Sequence, residues 1–171
     1  WHKSKTFSQS IYTTNDIYLK LIYLSNLSPK NVVAKYSVAC FDLAEPTFRH
    51  INYKEYKATR PKTDDSLISQ FDKVKQFFDA AKIKHFEMPG FEADDLIGTL
   101  VKKFSSEKNL KIIILTGDLD TLQLVDDDKI VIYTMKKGIQ DTIIYNENQI
   151  KERYGLLPSQ IVDFKALKGD P

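Results

Sequence analysis

Gly90-Phe91-Glu92-Ala93-Asp94-Asp95 and Ile112-Ile113-Ile114-Leu115-Thr116-Gly117-Asp118-Leu119-Asp120 are the two stretches from which the fold of this chain is read. The first opens a helical spacing of apolar residues (Leu96, Ile97, Leu100, Val101, Phe104). The second is an apolar run of the length of a buried strand, closed by acids. One acidic patch thus starts a helix and the other ends a strand, the two places where a parallel α/β sheet puts its ligand site. Five carboxylates so placed repel one another unless a cation lies among them. Oxygen donors of this kind suit hard ions such as Mg²⁺ or Mn²⁺.

Working outward, 171 residues with 42% hydrophobic content suffice for one well-buried domain. The net charge of +2 excludes a general polycation, so any nucleic-acid footprint must be local. A single cysteine, Cys40, sits in the apolar run Val38-Ala39-Cys40-Phe41. That excludes a disulfide framework and fits a buried thiol in a reducing, intracellular compartment. His2, His50 and His85 are scattered, so no zinc site is visible. No apolar stretch of membrane-spanning length and no signal-peptide core is present.

Patterns along the chain alternate, with a loop over residues 1 to 15, a helix from Asp16 to Leu27 and a strand from Asn31 to Phe41 that ends at Asp42. Helices follow at about 63–82, 92–104, 146–154 and 158–167, and strands at 83–88, 110–115, 129–135 and 142–145. Leu67, Ile68, Phe71, Val74, Phe77, Phe78 and Ala81 form a helical stripe expected to pack in the core. The alternation predicts an α/β fold with a mainly parallel central sheet flanked by helices. His85 reads as an edge histidine, and Asp126-Asp127-Asp128 as a solvated loop.

Asp42 and Asp118 end separate strand runs, so one parallel sheet can bring them to the same edge. Glu92 and Asp95 share a helix face, with Asp94 beside them, and Asp120 follows Asp118 by two; Asp170 closes the set. Any single one of these reads as capping or surface charge. Their joint arrival at loop ends of one sheet instead predicts a pair of metal ions able to activate a water and stabilise a leaving oxygen on a phosphodiester. Just after Asp42, Arg49, Lys54, Lys57, Arg60 and Lys62 interleave with Phe48, Tyr53 and Tyr56. This is the most basic stretch of the chain, suited to phosphates and unpaired bases. A Walker-type glycine loop and a nucleophile triad are both absent from the sequence.

These motifs resemble the 5′-nuclease domain of bacterial DNA polymerase I and its stand-alone relatives. The matching segments are Gly90 to Leu100, Thr116 to Val125, Phe41-Asp42 with Thr47 to His50, Tyr56 to Pro61, Tyr154 to Pro158 and Ala166 to Asp170, in register from about residue 32 to 171. The resemblance implies a PIN-like, Rossmann-related nuclease that removes 5′ flaps, RNA primers or 5′-terminal nucleotides during DNA replication and repair, using two Mg²⁺ or Mn²⁺ ions. It implies metal-binding roles for Asp42, Glu92, Asp94, Asp95, Asp118, Asp120 and Asp170. Arg49, Lys57 and Arg60 would lie round the scissile phosphate and Tyr56 near the displaced nucleotide, with residues 49–66 as a helical gateway.

Partners implied are DNA with 5′ flaps or ends, RNA–DNA hybrids, and a polymerase domain in the same chain or in trans, with no membrane and a monomeric state. The compartment implied is the cytoplasm, the nucleoid or a DNA-containing organelle. Both ends read as cut, because a first strand ending in Ile-Asp-Gly and a C-terminal helix–hairpin–helix are expected beyond them. The 171 residues by themselves are therefore expected to cut weakly. The alternatives are a PIN-like ribonuclease with the same metals, a non-catalytic nucleic-acid-binding module of the same fold, and, last, a small-ligand α/β domain with acidic loops.

Overall fold

The computed structural model describes residues 20–25, 35–60, 63, 65–127, 129–135 and 142–169. Among them one sheet runs in the order β3-β2-β1-β4-β5-β6. Its strands are β1 (Lys20–Ser25), β2 (Tyr36–Cys40), β3 (Lys84–Phe86), β4 (Lys111–Leu115), β5 (Ile130–Met135) and β6 (Thr142–Tyr145). Helices α1 (Phe48–Asn52), α2 (Asp65–Ala80), α3 (Ala93–Phe104), α4 (Glu147–Tyr154) and α5 (Ile161–Lys168) surround it, with 3₁₀ turns at Leu119–Leu124 and Pro158–Gln160.

The α/β class is as expected, and β2, β3, β4 and β5 all run the same way. Strand β1, however, lies antiparallel between β2 and β4, and β6 is antiparallel to β5. The sheet is therefore mixed. The predicted helix over 16–27 is corrected where it can be compared, because Lys20–Ser25 is a central strand. A strand with neighbours on both edges reads as a near-continuous apolar run, which periodicity cannot tell from a short buried helix. The expectations for residues 1–19, 26–34 and 136–141 lie outside the described residues.

Alternation along the strands decides which layer covers which face. Cys40, Ile112, Ile114, Ile130 and Ile132 cluster with Ile97 and Val101 of α3, Leu122, Ile150 of α4 and Ile161 of α5. Ala39 and Phe41 point the other way, against Val74 and Phe78 of α2. Burying a side chain such as Ile97 contributes roughly 1.5–3 kcal/mol, which anchors α3 against the sheet. The α2 stripe corrects an expectation, since Val74 and Phe78 are buried but Ile68 and Phe77 are exposed. Cys40 is buried, as read from the sequence.

The register fixes where the functional loops emerge. Lys20 faces Cys40 and Leu21 faces Leu115, so β2 and β4 end at the same edge with β1 between them. Phe86 pairs with Cys40 and Tyr133 with Leu115, bringing the ends of β3 and β5 to that edge.

Candidate active site

At this edge a cleft of about 920 Å³ opens. Asp42, Glu92, Asp94, Asp95, Asp118 and Asp120 line it, together with Arg49, Tyr56, Lys57 and Arg60. The structure thus gathers every described carboxylate expected from the sequence. Lys62 and Asp170 lie outside the described residues. Tyr53 and Lys54 are exposed and do not line the cleft.

Each carboxylate is aimed by a local device. Asp42, just past β2, accepts a hydrogen bond from the Ala93 N–H at 2.7 Å and so ties the strand end to the start of α3. Glu92 is the N-cap of α3 and only 8% exposed, and its N–H donates to Asp95 Oδ2 at 2.9 Å. An acid at the first turn also meets the positive end of the helix dipole. Asp118 caps the 3₁₀ turn by accepting from the Asp120 N–H at 2.9 Å, and its own N–H donates to Thr116 Oγ1 at 3.0 Å. The Thr121 hydroxyl donates to the Asp118 carbonyl at 2.6 Å.

Cations answer these acids. Arg49 donates to both oxygens of Asp95, at 2.7 and 2.8 Å, the fork-to-fork geometry that guanidinium favours. The hydrogen bond to Asp95 raises the Arg49 pKa, overcoming the opposing effect of burial. Lys57 Nζ donates to Glu92 Oε1 at 2.7 Å and Tyr56 to Glu92 Oε2 at 3.0 Å. Burial lowers the affinity of Lys57 for its proton, but the Glu92 hydrogen bond and charge more than reverse this, so its pKa is raised. Tyr56 is also raised, first by burial and then by its bond to Glu92. Lys57 has φ +55°, a left-handed conformation costing a non-glycine residue roughly 1–2 kcal/mol, which the site tolerates to deliver the ammonium.

One cation escaped the sequence reading. Lys165, in α5, reaches Asp120 Oδ1 at 2.8 Å across the opposite wall. Nothing in the local sequence of α5 marks this lysine, because its partner is supplied by a distant turn. His85 pairs with Asp79 at 3.1 Å on the outer strand, outside the cleft. Asp126 and Asp127 are exposed, as expected of a solvated loop.

The family described as "5′-3′ exonuclease, N-terminal resolvase-like domain" matches residues 2–155. The chain belongs to it. Among its relatives, DNA polymerase I of Mycobacterium tuberculosis is 41% identical over 159 residues, 93% of this chain and 17% of the relative. DNA polymerase I of Bacillus subtilis is 42% identical over 134 residues, 78% of this chain and 15% of the relative. The chain therefore spans under a fifth of the length of these relatives. A T5 protein co-crystallised with metal ions superposes with a TM-score of 0.66 at 22% identity, covering 80% of this chain and 52% of that one. A T5 flap endonuclease in a pseudo-enzyme–product complex with DNA and metal ions gives 0.62 at 22% identity, over 80% and 52%. These likenesses identify the fold as the PIN-like, resolvase-like one.

Proposed function

We propose that this chain is the resolvase-like catalytic part of a divalent-metal-dependent 5′-3′ exonuclease and flap endonuclease, acting on DNA 5′ flaps, 5′ ends and RNA primers in replication and repair. One observation carries the reading: six carboxylates and five basic side chains converge on one cleft at the sheet edge. Family membership, and the T5 neighbours solved with metal ions and DNA, support it.

The donor set fits a hard divalent ion, being all oxygen and densely anionic. Three of its members, Glu92, Asp95 and Asp120, already hold protein cations, which shows how strongly the cleft demands positive charge. Among the described residues no group of three acids is arranged round one point, and Mg²⁺ is commonly held by one or two carboxylates with water completing its shell. Asp42, Glu92, Asp94, Asp95, Asp118 and Asp120, with Asp170, would hold Mg²⁺ or Mn²⁺, two ions in the full set. Such ions supply an activated water and stabilise the leaving oxygen.

The protein's own groups do the rest. Asp42 and Asp118 are fixed by backbone amides and set the edge of the site, while Arg49 and Lys57 can turn from carboxylates to phosphates, with Arg60 beside them. Residues 49–66 would act as the gateway over the site; of these, 49–52 are helical and 54–59 form successive turns. The domain assignment over 1–171, a polymerase domain in the same protein, a monomeric state and residence in a DNA-containing intracellular compartment belong to the same proposal. Among the described residues no helix is long and apolar enough to cross a membrane.

Cleavage of a labelled 5′-flap DNA with and without Mg²⁺ tests this, with Asp118→Asn as control. Metal-dependent cutting that the variant loses is expected; equal cutting by both would overturn the assignment. The pairing of Glu92 and Asp95 with Lys57 and Arg49 favours one second reading, a binding module without turnover. It predicts flap binding at every metal concentration and no product.

A further inference from the structure

We propose that Phe48 and Phe91, at the mouth of the cleft, form a stacking subsite for an unpaired nucleobase of a single-stranded nucleic acid. The inference deepens the functional reading of the same cleft and rests on it. Both rings line the cleft and remain 40% and 43% exposed. Their centroids lie 5.7 Å apart at an interplanar angle of 56°, so they meet as a tilted pair.

The pair is held in place by backbone. The Phe48 N–H donates to the Gly90 carbonyl at 3.0 Å, stitching the start of α1 to the loop that carries Phe91. Gly90 makes that turn at φ +81°, a conformation that suits glycine. The Arg49 guanidinium lies 4.5 Å over the Phe48 ring while its fork holds Asp95. One residue thus links the aromatic mouth to the acidic floor.

Large exposed aromatic surface is informative where single exposed residues are not, and Ile51, three residues after Phe48 in α1, is itself 76% exposed. Arg49, Lys57 and Arg60 border the same space. Apolar faces beside a row of cations complement a polyanion with flat apolar faces, which describes single-stranded nucleic acid.

The test separates stacking from charge. Affinity for a fluorescently labelled oligothymidine is measured by anisotropy without divalent ions, against the same strand with abasic tetrahydrofuran residues. The protein is expected to prefer the base-bearing strand by about 5- to 160-fold, the span of one stacked base. Phe91→Ala and Phe48→Ala should bring that ratio close to one while leaving abasic affinity unchanged, and Phe91→Trp should restore it. Equal affinity of the unmutated protein for both strands, or a ratio untouched in folded alanine variants, would overturn this subsite alone. Binding of neither strand would overturn it together with the functional reading.

Discussion

On the α3 wall of the cleft, Glu92 and Asp95 are answered by long side chains from another segment, Arg49, Tyr56 and Lys57, and Asp95 also accepts the Glu92 N–H. On the wall after β4, Asp118 is held by backbone and hydroxyl groups of its own turn, and one lysine, Lys165, reaches Asp120. The two walls carry the same chemistry with different freedom. A carboxylate fixed by an adjacent N–H keeps its aim whenever the backbone is folded. The Arg or Lys head that answers a carboxylate can leave by side-chain rotation alone, with the backbone undisturbed. One site thus has a wall set mainly by backbone and a wall whose cations are exchangeable, the latter facing the basic segment.

The largest expected effect comes from the fixed wall. Asp118→Asn keeps a side-chain acceptor for the Asp120 N–H but removes the charge, so the fold should survive. Loss of a charge-stabilising ligand of this type should cost several kcal/mol in the barrier, roughly 100- to 1000-fold in kcat on a flap substrate. A variant that retains wild-type turnover would place the chemistry elsewhere.

On the exchangeable wall the effect should be smaller and ion-dependent. Arg49→Ala leaves Asp95 without its guanidinium fork in a half-buried site and should lower stability by about 1–2 kcal/mol in chelator, after allowance for exposure. Added Mg²⁺ should then raise the variant's Tm more than the wild type's, because the ion enters without displacing Arg49. Equal Tm responses would show that Arg49 and the ion do not compete.

Tyr56→Phe, which removes only the hydroxyl bond to Glu92, should cost about 0.5–1.5 kcal/mol in chemical denaturation. Alkaline titration probes the same contacts. The folded protein keeps the Tyr56 and Lys57 protons beyond their ordinary values of 10.0 and 10.5, while the unfolded chain sheds them there. The folded state then binds more protons, so this stabilisation is whole below about pH 10 and is lost as pH rises through the raised values. A Tyr56→Phe, Lys57→Met double variant should show a shallower alkaline decline in Tm.

Lys165→Ala is expected to give the smallest change, within about 0.2–1 kcal/mol, since both partners are substantially exposed. A larger loss of stability would make the second wall depend on its lysine as the first depends on Arg49.

Much of the site was legible because the two acidic stretches carry their own structural instructions. Acids at the first turn of α3, and an apolar strand closed by Thr116-Gly117-Asp118, state both the element and the end at which the charge emerges. The basic segment after Asp42 was legible as a cationic stretch beside the acids, yet its partners were not. That Arg49 forks onto Asp95 and Lys57 reaches Glu92 follows from where α1 and the turns after it lie over the start of α3. Lys165 left no trace in the sequence, because an ion pair between remote elements has no spacing to read. Lys20–Ser25 was misread because its apolar run is too short for periodicity to separate strand from helix.

The sequence by itself determined the α/β class, the identity and convergence of the carboxylates, and the family to which the chain belongs. Local propensity and hydrophobic period act within one element, and those features are written within single elements. Only the tertiary structure decided that β1 lies antiparallel at the centre of the sheet. It alone decided which cation answers which acid, and that Phe48 and Phe91 meet at the mouth. Those are contacts between elements, set by register and packing, which no single stretch of sequence contains.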